Sequence, residues 1–172
     1  GFGGAINGQR AGSFGDIATT SFFPAKPLGC YGDGGAIFTN NDKYADLIRS
    51  YQVHGKGKDK YDNVRIGMNS RLDTIQAAIL LEKLKIFPEE LNKRNILASD
   101  YMKKLNNIYI LPKIPNGYFS SWAQFTIRTK SRDELIKKFE KNGIPTMVYY
   151  RKCLHLQSAF KALDYKIGDF PV

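Results

Sequence analysis

Apolar residues fall into two rhythms along this chain. β-Branched and aromatic residues fill positions 17–22 and 36–39 and predict two short strands, joined by a glycine-rich connection. Beyond them Tyr44, Leu47, Ile48 and Tyr51 recur at helical spacing behind Asn41 or Asp42, so a capped helix is expected to about residue 51. Positions 53–69 keep neither rhythm. The run His54-Gly55-Lys56-Gly57-Lys58-Asp59-Lys60 is too polar to pack, and a loop of that length in a compact fold is usually functional or poorly ordered. Asp73-Thr74-Ile75-Gln76 has the spacing of a capping box and opens a helix to about residue 86. Pro88, with Glu89 and Glu90 behind it, suits the first turn of a second, longer helix ending near residue 105.

After residue 106 the texture changes. Residues 109–111, 122–128 and 145–149 read as strands, and Ser131-Arg132-Asp133-Glu134 opens a helix that stops at Asn142 before Gly143. Strand, helix and strand with local antiparallel pairing suggest a smaller α+β domain over residues 107–172, following a first domain over residues 1–106.

Composition changes this picture little. With 172 residues, 42% hydrophobic and 24% charged, the chain can bury a core as an ordinary globular protein does. No apolar run approaches the roughly 18 residues of a membrane span, so no membrane partner is expected. The net charge of +10 is uneven. Residues 1–50 hold four basic and four acidic residues; residues 51–172 carry the remaining 22 and 12. A basic half can attract nucleic acid or a phosphorylated small molecule. Its cations interleave with acids on helical faces, as in Lys137-Lys138-Phe139-Glu140-Lys141, and no RNA-binding aromatic signature or zinc-finger spacing accompanies them. No nucleic-acid partner is therefore expected. Cys30 and Cys153 fit free thiols of a reducing compartment, though a bond between them stays open, and neither groups with His54 or His155 at metal-ligand spacing.

The chemistry-bearing candidate is Lys26, in Ser21-Phe22-Phe23-Pro24-Ala25-Lys26-Pro27-Leu28-Gly29. An amine held between two prolines and among aromatic residues can lose hydration and attack carbonyls, as a Schiff-base lysine must. On composition alone a solvated loop lysine is the commoner outcome. The glycines of Gly29, Gly32, Gly34 and Gly35 lead into a strand instead of a helix, which removes the phosphate-loop reading; a tight turn with positive φ is expected for most of them. Ser21, at a strand end, can meet a phosphate. Asn69 and Arg71 precede a helix N-terminus, where anions are favoured and Arg offers a bidentate fork. His155 alone reads as packed or solvated.

Taken in order, Gly15-Asp16, the Ser21–Lys26 run, Gly32-Asp33-Gly34-Gly35-Ala36, His54-Gly55, Gly67-Met68-Asn69-Ser70-Arg71-Leu72-Asp73, Gln76-Ala77-Ala78, Tyr150 and Leu154-His155 resemble the DegT/DnrJ/StrS sugar aminotransferases. The Lys26 run together with Lys85-Ile86-Phe87-Pro88-Glu89-Glu90 is similar to the branch that aminates C3 of UDP-2-acetamido-3-oxo-hexuronic acids.

The resemblance implies an α/β fold of the pyridoxal-phosphate transferase type (aspartate aminotransferase type I), with part of a large three-layer domain in residues 1–106 and a small α+β domain in 107–172. It implies pyridoxal 5'-phosphate as cofactor, bound to Lys26 as a Schiff base, with Lys26 also moving the proton of the transfer. Ser21 would hold the cofactor phosphate, and Asn69 would reach that phosphate in a neighbouring subunit of a homodimer. Arg71 would lie near the acidic group of a nucleotide sugar, and Tyr149, Tyr150 and His155 would line the substrate mouth. The expected activity is amino transfer from glutamate to a keto sugar, in the cytoplasm, for polysaccharide or glycan biosynthesis. Lysine at position 26 argues against the related dehydratases, which carry histidine there; a non-catalytic basic module is the other alternative. The family's residues for the pyridine nitrogen and ring face lie before Gly1, so the resemblance makes this chain a fragment expected to be inactive alone. Arg151-Lys152-Cys153 stands where the family is apolar and proline-containing.

Overall fold

Asn7 and Gly8 both have left-handed backbone, with φ of 48° and 81°. A two-residue hairpin turn requires that pair because its twist matches the strands it joins. The turn links β1 (Ala5–Ile6) to β2 (Gln9–Arg10), and a later strand, β5 (Tyr118–Phe119), pairs antiparallel on the other side of β1. The computed structural model describes residues 1–171, in two compact units, Gly1–Arg128 and 129–171.

A second antiparallel pair carries the candidate chemistry. β3 (Ala18–Ser21) and β4 (Gly35–Phe38) match residue for residue from Ala18–Phe38 to Ser21–Gly35, close to the strands expected. Helix α1 (Asp42–Tyr51) follows. Asn41 caps it, its side-chain oxygen accepting from the backbone N–H groups of Lys43 and Tyr44. Leu47 and Ile48 are half-buried, while Tyr44 and Tyr51 face solvent.

The two helices expected over residues 74–105 are one. Helix α2 (Thr74–Leu105) runs through Pro88. A proline inside a helix removes a hydrogen bond and costs about 3 kcal/mol. Phe87 and Leu91, on either side, are about 95% buried with Phe22, Leu28, Cys30 and Leu80 in the main apolar cluster, so packing outweighs that local penalty. The capping box does not form either: Asp73 makes no side-chain cap bond, and Gln76 is engaged elsewhere.

Among the described residues, 109–111, 122–128 and 145–149 form no strand; the first two meet only in the single bridge Ile110–Arg128. Residues 120–125 spend their bonding on α2 instead. Arg94 donates to the Trp122 carbonyl (3.0 Å), the Trp122 indole donates to Asn95 (3.0 Å), and Phe125 packs edge-on against Tyr101. A β propensity without a strand partner yields extended chain, not sheet.

In the second unit α3 (Arg132–Lys141) lies where a helix is expected and ends before Gly143, whose φ is +68°. Two 3-10 turns follow, Leu154–Leu156 and Ser158–Leu163.

Candidate active site

The connection between β3 and β4, residues 22–34, is a tip on buried roots. Phe22 is 7% exposed, Leu28 1% and Cys30 0%, while Lys26 between them is exposed. The tip is a β-turn: the Lys26 N–H donates to the Phe23 carbonyl (2.8 Å), with Pro24 in the position where its fixed φ favours such a turn. Behind it the Cys30 N–H and thiol both donate to the Phe22 carbonyl, at 2.8 and 3.0 Å, and the Phe22 N–H donates to the Gly34 carbonyl at 2.7 Å. Lys26 is thus not desolvated among Phe and Pro as its neighbours in sequence suggest. Phe22, Pro27 and Leu28 point inward, while Phe23, Pro24, Ala25 and the lysine remain outside.

The glycine run needs a second correction. Gly29, Gly32, Gly34 and Gly35 all lack positive φ. They are glycine because chain segments close on them: a Cβ at Gly29 would stand 2.6 Å from the Pro24 carbonyl oxygen, and one at Gly35 would stand 2.7 Å from that of Thr20. Contact distance, not backbone handedness, selects glycine at these positions.

Ser21, the last residue of β3, and Lys26 both line one cleft of about 320 Å3, with Gly12, Thr19, Thr20 and Pro27. The Ser21 hydroxyl oxygen accepts from the Phe23 N–H at 3.2 Å. A larger cleft of about 950 Å3 along β4 and α1 contains none of the expected site residues. The smaller one combines a primary amine, a hydroxyl and open space within a single strand-and-turn. That donor set fits a cofactor with an aldehyde at one end and a phosphate at the other.

Asn69 and Arg71 lie elsewhere in the first unit and are exposed; the Arg71 guanidinium donates to the Asn69 amide oxygen at 3.1 Å. Neither lines the Ser21–Lys26 cleft of its own chain. They close the long loop, which is tied to the end of α1 by Met68 N–H to Tyr51 carbonyl (2.8 Å) and Ser70 N–H to Gln52 carbonyl (3.0 Å) and closed on itself by His54 N–H to Met68 carbonyl (2.9 Å). His54 and Gly55 take successive left-handed conformations, φ 59° and 76°, which accounts for glycine in that pair.

Tyr149, Tyr150 and His155 belong to the second unit. Tyr149 and Tyr150 have ring centroids 6.4 Å apart, and Tyr150 is 91% exposed. His155 packs edge-on against Phe170 at 5.0 Å and Tyr165 at 6.4 Å, and its buried Nε2 has no hydrogen-bond partner.

Two contacts are not foreseen in the sequence: Gln76 is expected in a capping box, and Lys83 has no expected site role. Gln76 and Lys83, both on α2, reach the backbone of the Lys26 connection. The Tyr31 N–H donates to the Gln76 side-chain oxygen (2.8 Å), and the Lys83 ammonium donates to the Gly29 carbonyl (2.5 Å). The available signal was their position, since both interrupt an otherwise apolar stripe.

All of residues 1–172 match the profile of the DegT/DnrJ/EryC1/StrS aminotransferase family. The chain belongs to that family. It is 46% identical over 159 residues to the UDP-2-acetamido-2-deoxy-3-oxo-D-glucuronate aminotransferase of Pseudomonas aeruginosa, covering 92% of this chain and 44% of the relative. A DegT DnrJ EryC1 StrS aminotransferase from Brucella abortus superposes with a TM-score of 0.91 at 52% identity, covering 93% of this chain and 43% of that one. DesV of S. venezuelae, in complex with a ketimine intermediate, gives 0.92 at 34% identity, covering 97% and 45%. The fold is therefore α/β of the pyridoxal-phosphate transferase type, as expected for DegT/DnrJ/EryC1/StrS members. The chain spans under half the length of the relatives it matches.

Proposed function

We propose that these residues are part of a pyridoxal-phosphate aminotransferase that moves an amino group from glutamate to the keto group of a nucleotide-linked sugar. The observation that carries this reading is Lys26 and Ser21 on one cleft, with the lysine at the tip of a turn rooted in the core. The cofactor, when bound, supplies the electron sink for amino transfer. Lys26 would be its covalent attachment point and would carry the proton between the nitrogen-bearing carbon of the substrate and the cofactor; Ser21 would donate to its phosphate. The 46% identity to an enzyme named for a UDP-linked 3-oxo-glucuronate supports a 3-keto nucleotide sugar as substrate, and hence a place in glycan or polysaccharide synthesis.

The remaining roles belong to the same reading. Asn69 would reach the cofactor phosphate of a second copy in a homodimer. Its exposure, and its place outside the cleft of its own chain, support that assignment, as do Ile66 (98% exposed) and Met68 (65%) beside it. Arg71 would meet the acidic part of the nucleotide sugar, and Tyr149, Tyr150 and His155 would bound its sugar. Residues 1–106 would belong to the large cofactor-binding domain and 107–172 to the small one. A cytoplasmic setting suits an exposed thiol at Cys153 and a glutamate donor.

The test uses the complete protein. Added pyridoxal phosphate should form a yellow, borohydride-reducible adduct that peptide mass analysis places on Lys26. Glutamate plus a 3-keto UDP-sugar should then give the amino sugar, and Lys26→Ala should abolish both. An adduct on another lysine, or amino transfer that survives Lys26→Ala, would sink the reading. The 172-residue chain alone should hold the cofactor weakly or not at all.

A further inference from the structure

The face of α2 turned toward the Lys26 connection runs Gln76, Leu80, Lys83, Phe87, Leu91, at spacings that keep one side of a helix. Leu80, Phe87 and Leu91 are each about 95% buried. Polar residues on such a stripe lose hydration and persist only when satisfied. Both are, by the same short piece of backbone: Lys83 donates to the Gly29 carbonyl at 2.5 Å, and Gln76 accepts from Tyr31 at 2.8 Å. Lys83 is half-buried and also stands over the Tyr31 ring, 5.5 Å from its centroid. Among the described residues no carboxylate lies within ion-pair distance of it.

The contact continues from Gly29 to Lys26. Gly29 lies so close to the Phe23 and Pro24 carbonyl oxygens that a Cβ there would stand 2.7 and 2.6 Å from them. The Phe23 carbonyl is the acceptor of the Lys26 N–H. An ammonium bonded to Gly29 therefore fixes the residue against which the turn that presents Lys26 packs. Charge-assisted bonds to a carbonyl are the strong, short class suited to this.

We propose that Lys83 is a positioning residue for Lys26: its bond to Gly29 holds the 23–26 turn so that the Lys26 amine is aimed into the cleft it shares with Ser21. This rests on Lys26 being the cofactor's attachment point. A displacement of about 1 Å in such a group can cost on the order of a hundredfold in rate.

The experiment compares Lys83→Met, which keeps the apolar stem and removes the donor, with Leu80→Ala, which opens a cavity on the same stripe. Each is made in the complete protein, and the readouts are melting temperature and the rate of adduct formation on Lys26 after pyridoxal phosphate is added. Lys83→Met should slow the adduct at least about tenfold and lower kcat, with KM for the keto sugar little changed. Leu80→Ala should lower Tm at least as much yet form the adduct within about twofold of the parent rate. Lys83→Arg, which restores a donor, should recover part of the lost rate. Adduct formation by Lys83→Met at the parent rate, whatever its Tm, overturns the proposal. If Lys83→Met does not fold, Lys83→Leu, which also lacks a donor, is read against the same outcomes; failure of both to fold assigns Lys83 to stability alone and equally overturns it. An unsubstituted protein that forms no adduct on Lys26 would instead sink the aminotransferase reading.

Discussion

Two long connections in the first unit both end in exposed tips, and they are held in opposite ways. Residues 22–34 are anchored by side chains: Phe22, Leu28 and Cys30 sit in the core, and α2 adds Gln76 and Lys83. The loop over 53–72 is anchored mainly by backbone bonds to the end of α1, with the Ser50 hydroxyl donating to the Lys56 carbonyl and accepting from Arg65, and Gly55 is its one buried residue among those described. Their tips differ accordingly. The first presents an amine, with Phe23 and Tyr31 exposed beside it. The second presents Tyr61 (86% exposed), Ile66 and Met68, apolar area that gains free energy once something covers it. A reactive group needs rigid support from its own chain, whereas a loop proposed to complete another subunit's site needs reach and an apolar surface.

The comparison breaks most visibly at the roots of the first connection. Leu28→Ala removes a fully buried side chain from a cluster that cannot readily collapse, and should cost about 3–4 kcal/mol in denaturant unfolding of the complete protein. Gly29→Ala, which forces two carbonyl groups aside, should cost about 2–3 kcal/mol and also slow adduct formation on Lys26. Wild-type stability in either variant would mean that the connection is not held by its roots. On the other loop, Ile66→Ser should leave stability within about 0.5 kcal/mol at a protein concentration too low for self-association. It should weaken the proposed homodimer in sedimentation velocity; an unchanged homodimer would remove the apolar tip from the proposed interface.

Much of the scaffold for this contrast was legible in the residues themselves. β3, β4, α1 with its Asn41 cap and α3 before Gly143 follow from local pattern, because each is decided by neighbours a few positions away. Where distant packing decides, local rules mislead. Pro88 looks like a helix start, but Phe87 and Leu91 are buried strongly enough to carry one helix through it. Gln76 has capping-box spacing, but its oxygen faces Tyr31. The glycines after Lys26 look like turn residues with positive φ, but close approach explains them. The site divides along the same line. Ordered motifs across the chain pick out Lys26 and Ser21 through family resemblance, and one cleft contains both. Lys83 carries no motif, because its meaning is a contact between residues 54 positions apart. The roles of Asn69, Arg71, Tyr149, Tyr150 and His155 stay with the proposed function.

The smallest expected effect sharpens the comparison on a single helix. Lys93, like Lys83, is an α2 lysine, but it faces water. Its ammonium is 2.7 Å from Glu89, and both side chains are about two-thirds exposed. The hydrogen bond and charge of Lys93 hold the Glu89 carboxyl below its usual range; Glu89 raises Lys93 in turn, with a lesser contribution from Glu90. The signs define a window. A lowered carboxylate adds stability above its unfolded value, lost as pH falls through the folded one; a raised ammonium adds stability below its unfolded value, lost as pH rises through the folded one. The pair therefore acts between roughly pH 5 and pH 10, and salt screens it there. At neutral pH Lys93→Met should move Tm by no more than about 1 °C and leave adduct formation on Lys26 untouched, while Lys83→Met changes the adduct rate. Equal effects from the two lysines would show that burial against Gly29 is not what separates them.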